Sequence, residues 1–104
     1  MNAIDYEQRS KIYAEAAETF GCNMQIVVAL EELSEVQKEL CKALRGKVNT
    51  FNLAEEVADA TIMLEQIRQM FNINEQVCGY MDEKVLRLQN RIAAFKRGES
   101  KIAE

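Results

Sequence analysis

The chain has 104 residues, enough for one domain with a core of its own and too few to expect a second. Hydrophobic residues make up 48% and charged residues 29%, with no proline, which argues against a disordered chain and for a helical one. A net charge of −4 argues against nucleic acid or an anionic membrane as the partner, because both select basic surfaces.

Apolar spacing predicts four helices and no strand. The first runs from about Asp5 to Phe20 and stops at Gly21; Tyr6, Tyr13 and Phe20 on it are candidates for stacking and equally ordinary core aromatics. The second, from about Asn23 to Leu44, carries a stripe of Ile26, Leu30, Leu33, Val36, Leu40 and Leu44. "GKVNTFN" reads as a loop, with Asn52 the expected N-cap of a third helix whose stripe is Leu53, Val57, Ala60, Leu64, Ile67 and Phe71. "NIN" at Asn72–Asn74 turns the chain into a fourth helix ending near Arg97, with Val77, Met81, Leu88, Ile92 and Phe95 on one side. The expectation is a single all-α domain over 1–104, with about 96–104 a frayed tail. Val28 and Ile62 point far from the main stripes, so two helices are apolar on two faces. Helices of that kind pack on both, which predicts a homo-oligomer.

Acids in the first twenty residues, Asp5, Glu7 and Glu15 among them, argue against a signal-peptide hydrophobic region, and no apolar run reaches spanning length. Cys22, Cys41 and Cys78 are an odd number without C-x-x-C spacing, which fits a reducing cytoplasm better than a disulfide framework. Histidine is absent, and with it the Ser-His and Cys-His arrangements and the usual general base. A metal must therefore be held by oxygen or cysteine, and oxygen ligands favour Mg²⁺ or Mn²⁺.

Two acidic stretches stand out, "EELSEVQKEL" (31–40) and "AEEVADATIML" (54–64). Glu32 and Glu35 lie on adjacent turns of one face, continued by Glu39 and shared with Val28; Glu56 and Asp59 repeat the spacing on the third helix. Glu31/Glu35, Glu35/Glu39 and Glu55/Asp59 are like-charge pairs at i,i+4, each costing a few tenths of a kcal/mol in an isolated helix. Lys38 and Lys42 offset only part of that. Local helix stability is therefore a poor reason for these acids, whereas a divalent cation reverses the sign of their cost. Acidic helix faces are common, and either pair alone fits that bland reading; both on successive helices fit it poorly. On the fourth helix Tyr80, Lys84, Arg87 and Arg91 share a face suited either to phosphate oxygens or to ordinary salt bridges.

"EELSE" followed by "EEVAD" resembles the E-E-x-x-E, spacer, E-x-x-D pattern of the MazG-like all-α nucleoside triphosphate pyrophosphohydrolases, over roughly Met24 to Ile92. The resemblance implies an oligomeric four-helix bundle that binds Mg²⁺ between its second and third helices, through Glu32, Glu35, Glu56 and Asp59. It implies hydrolysis of a nucleoside triphosphate between the α and β phosphates. Glu31 is then the candidate to orient or deprotonate a water. Lys84 and Arg91, or Lys84 and Arg87, match the basic helix of different branches, though Leu88 stands where one branch has Asn, so substrate preference does not carry over. Met63 and Val28 are candidates to border the pocket, beside Tyr80, with packing their more ordinary role. The competing readings are a non-catalytic helical interaction module and a phosphoribosyl-ATP pyrophosphohydrolase.

Overall fold

The computed structural model describes residues 3–99. Among them are four helices and no strand: α1 (Tyr6–Phe20), α2 (Cys22–Leu44), α3 (Thr50–Met70) and α4 (Asn74–Lys96). Among the described residues no helix is long and apolar enough to cross a membrane. Of the tail expected over about 96–104, residues 100–104 lie outside the described residues.

The helix ends follow from local chemistry. Asp5 and Gln8 form a capping box: an Asp5 carboxylate oxygen accepts from the Gln8 backbone N–H at 2.8 Å, and Gln8 Oε1 accepts from that of Asp5 at 3.1 Å. Gly21, at φ 89, is the single residue between α1 and α2, a conformation that a side chain would strain. The N-cap of α3 is Asn49 and not Asn52. Asn49 Oδ1 accepts from the backbone N–H groups of Phe51 and Asn52, at 3.0 and 3.1 Å, so the helix begins earlier than its apolar spacing indicates.

Two compact units divide the chain, the first ending at Asn72 and the second beginning at Ile73. In the first, α2 and α3 pack together and α1 touches both. Gln25, near the start of α2, donates to Gln66, near the end of α3, which makes α2 and α3 an antiparallel hairpin. Its seam is Gln25, Ala29, Glu32, Val36, Glu39 and Ala43 on α2 against Leu53, Glu56, Ala60, Met63, Ile67 and Met70 on α3, all buried or half-buried. Both sets alternate steps of three and four, the spacing that keeps one face towards a partner helix.

That seam shares only part of the expected stripe: Val36 on α2 and Leu53, Ala60 and Ile67 on α3 lie in it, beside alanines, Met63, Met70 and polar side chains, whereas Leu30, Leu33, Leu40 and Leu44 on α2, and Val57, Leu64 and Phe71 on α3, are exposed. Ala29 and Ala60 let the helices approach closely, and the buried amides of Gln25 and Gln66 satisfy each other at 2.8 Å. The second unit contains α4, which has no buried residue; Met81, Leu88, Ile92 and Phe95 of its predicted stripe are exposed and Val77 is half-buried.

Candidate functional site

The hairpin brings three of the predicted acids together. Glu32 from α2 and Glu56 and Asp59 from α3 each offer a carboxylate oxygen, and these oxygens all lie within 4.8 Å of one another. The antiparallel register does this, because Glu32 occupies the seam opposite the turn that carries Glu56 and Asp59. Glu35 is not in that group. It is half-buried one turn on, and Lys38 Nζ stands 4.0 Å from its Oε1.

Electrostatics bind Glu35 to the site all the same. Desolvation raises the Glu56 carboxyl above its ordinary value, and the neighbouring charges of Glu35, Glu32, Asp59 and Glu55 add to the shift. Glu32 is raised likewise, by desolvation and then by Asp59, Glu35 and Glu31. The solvent-exposed Glu31 therefore acts on the cluster through its charge; its own backbone carbonyl accepts from Ser34 Oγ at 2.7 Å. Converging carboxylates disfavour one another's ionisation, and hard oxygen donors of this kind suit Mg²⁺ or Mn²⁺.

Beside the acids lies a cleft of about 160 Å³ lined by Val28, Glu32, Asp59, Ile62 and Met63. Val28 and Ile62, which the helical wheel turned away from the main stripes, thus flank the carboxylates. Met63 both lines the cleft and is buried in the seam, where its sulfur accepts from Gln66 Nε2 at 3.2 Å. The link from Gln25 through Gln66 to Met63 fixes one wall.

Two polar features escaped sequence reasoning. Glu39 is only 5% exposed; its Oε2 pairs with Lys42 Nζ at 3.2 Å, and its Oε1 has no hydrogen-bond partner. Its seam spacing, seven residues beyond Glu32, was the available signal. The second is the polar docking of α1. Tyr13 hydroxyl donates to Glu65 Oε1, Arg9 reaches both Glu65 oxygens at 3.3 Å, and Ser10 Oγ donates to Gln69 Oε1 at 3.0 Å. Burial and then the Glu65 carboxylate push the Tyr13 phenol up to about 12. Tyr13 is thus a packing aromatic with a polar tip, whereas Tyr6 and Phe20 are exposed.

On α4, Tyr80, Lys84 and Arg87 are exposed and Arg91 is half-buried. Arg87 lies 4.0 Å from Glu83 within the helix, an i,i+4 pair of the ordinary surface kind. The cysteines are exposed, and none belongs to the acidic group. No protein-family model matches the chain, and neither curated proteins nor solved structures show a chain similar to it.

Proposed function

We propose that the chain is a Mg²⁺-dependent nucleoside triphosphate pyrophosphohydrolase that cleaves ribo- or deoxynucleoside triphosphates between the α and β phosphates, in the service of nucleotide-pool cleansing in the cytoplasm. One observation carries the reading: carboxylate oxygens of Glu32, Glu56 and Asp59, from two helices, converge within 4.8 Å at the edge of a cleft. Glu35 completes the ligand set that the motif resemblance implies, one turn from Glu32. Mn²⁺ suits the same donors.

The chemistry asks for little else. A bound divalent cation neutralises charge on a polyphosphate and lowers the pKa of a water. The water oxygen bonds to phosphorus, the bridging oxygen departs with pyrophosphate, and a proton must be taken up. Glu31, exposed next to Glu32 in sequence, is the carboxylate that this reading assigns to accept it. Val28, Ile62 and Met63 give the open cleft an apolar flank beside the acids. At about 160 Å³ the cleft is smaller than the 300–1,000 Å³ of ordinary small-molecule pockets, so it accommodates the reacting phosphates and leaves the nucleoside to other surfaces. The motif resemblance further implies phosphate contacts from Lys84, Arg87 and Arg91, with Tyr80 beside them, and self-association as a homodimer or homotetramer belongs to the same reading.

Incubating the purified chain with Mg²⁺ and a panel of ribo- and deoxynucleoside triphosphates, with phosphoribosyl-ATP included, tests the proposal. Monophosphate and pyrophosphate from at least one nucleoside triphosphate are the expected products; turnover of phosphoribosyl-ATP alone moves the assignment to that substrate. No turnover of any of them, together with no heat of Mg²⁺ binding, leaves a non-catalytic interaction module.

A further inference from the structure

Glutamine is an uncommon choice for the contact between two helices, because its amide must find partners wherever water is excluded. Yet Gln25 and Gln66 meet in the α2–α3 seam, 6% and 7% exposed, where an apolar pair would carry no such demand. Gln25 Nε2 donates to Gln66 Oε1 at 2.8 Å, and Gln66 Nε2 donates in turn to the Met63 sulfur at 3.2 Å. Burial alone does not call for these side chains; a directional contact does.

The place of the pair in the hairpin gives it a task. Glu32 comes seven residues after Gln25 on α2, and Asp59 comes seven residues before Gln66 on α3. In an antiparallel hairpin the two contacts therefore share one register, about 10 Å apart along the seam at 1.5 Å per residue. At the other end the helices are tied by the short connection from Arg45 to Asn49. The carboxylates of Glu32, Glu56 and Asp59 thus lie between a covalent tie and the glutamine contact, and their repulsion acts to part the helices between the two. Contacts from α1 brace the glutamine end: Arg9 and Tyr13 bond Glu65 and Ser10 bonds Gln69, on either side of Gln66 along α3.

We infer that Gln25 and Gln66 are positioning residues for the carboxylate group: their amide contact sets the separation and axial alignment of α2 and α3 at which oxygens from both helices reach one cation. An apolar pair would hold the hairpin together comparably without fixing that geometry. Hydrophobic contact is non-directional, whereas an N–H···O bond prescribes distance and angle. Through Gln66 the same contact holds the sulfur of Met63, which lines the cleft with Glu32 and Asp59. Methionine turns about three side-chain bonds and packs adaptably, so an anchor on its sulfur gives that wall a fixed shape. The inference rests on the reading of these acids as a cation site.

A Gln25→Leu/Gln66→Leu variant tests it, since removing both partners of a buried hydrogen bond strands neither amide and is nearly neutral for stability. Its helicity and Tm should match or exceed those of the parent. Its affinity for Mn²⁺, measured by electron paramagnetic resonance without nucleotide, should fall about 10-fold or more, the range for residues that support metal ligands. Spin labels at Val27→Cys and Leu64→Cys, exposed positions beside the glutamine contact, report helix spacing without metal in a background with the three cysteines changed to serine. Labelled chain diluted into unlabelled chain should give a narrow distance distribution, and the same labels in the double variant a broader one. In a parent that binds Mn²⁺, unchanged affinity in the double variant overturns the inference. A distribution as narrow as the parent's overturns it too, and so does a large loss of Tm, which would assign the glutamines to stability. A parent that binds no Mn²⁺ while the distribution still broadens removes the cation reading alone and leaves the glutamine alignment of the carboxylates standing.

Discussion

The two sides of the α2–α3 hairpin solve opposite problems with the same helices. One side gathers carboxylates that disfavour one another's ionisation; the other carries leucines that stand exposed. Each is costly by itself, the first electrostatically and the second through exposed apolar area. On the proposed reading, a divalent cation offsets the first cost. The seam between them mixes Val36, Leu53, Met63, Ile67 and Met70 with small alanines and polar side chains, and most of the leucines lie outside it.

The largest effect expected on the acidic side is on chemistry. Glu56→Ala or Asp59→Ala is expected to lower pyrophosphate release by about 100-fold or more, since even residues that merely support metal ligands cost 10- to 100-fold in metal affinity or activity. Helicity by circular dichroism should be unchanged. Full turnover in both variants would separate the cluster from catalysis and leave the comparison as one between two surfaces without a site.

Within the seam, Glu39 sharpens the contrast between stability and function. Glu39 is buried with one oxygen unpaired, while its partner Lys42 is a third exposed, so removing the carboxylate relieves a desolvation cost without stranding a buried cation. Glu39→Met should therefore raise stability by about 1 kcal/mol, a rise in Tm of about 4–8 °C for a chain of this size. Lys42, freed, keeps its contact with water. Thermal melts of the variant and the parent read this directly, and a fall in Tm instead would mean that the carboxylate organises the seam.

Docking of α1 contributes less. Tyr13→Phe removes the hydroxyl donor to Glu65, which retains Arg9, so the expected loss is about 1 kcal/mol. The phenol titrates at about 12 in the fold against 10.0 in the open chain, so the native state holds its proton the longer. The stability this confers is complete below pH about 10 and is lost as pH rises through about 12. Alkaline melts should show that decline in the parent and a shallower one in Tyr13→Phe.

Much of this was legible in the sequence, in a specific sense. Periodicity located α1 to α4 to within a few residues because apolar spacing, Gly21 and the asparagine turns mark helix limits directly. It also placed Glu32, Glu56 and Asp59 on helices able to converge. What it could not assign was which face of α2 meets α3. A helical wheel reports which residues share a face, and the face with the most leucine attracts the choice. The fold instead paired the face bearing Gln25, Ala29, Glu32 and Glu39, where small side chains permit close approach and the amides of Gln25 and Gln66 satisfy each other. The same ambiguity concealed the burial of Glu39 and left Glu35 outside the carboxylate group, one turn from where the motif resemblance implies it.

The smallest effect is the one that tests the opposition of the two sides most directly. Glu32 and Glu56 both titrate above the ordinary 4.5, so the folded chain binds protons more readily there than the unfolded one. Their contribution is most favourable below pH 4.5 and declines as pH rises towards and through the raised folded values, the reverse of the usual carboxylate contribution. At neutral pH without divalent cations, Glu32→Gln should therefore melt slightly above the parent, since one of the repelling charges is gone. Mg²⁺ should raise the Tm of the parent by offsetting the same repulsion, and raise that of Glu32→Gln less, because the variant has lost an anionic ligand. A crossing of the two melting curves as Mg²⁺ is added is thus the signature of a cation site. Parallel curves would make the cluster a repulsive surface and nothing more.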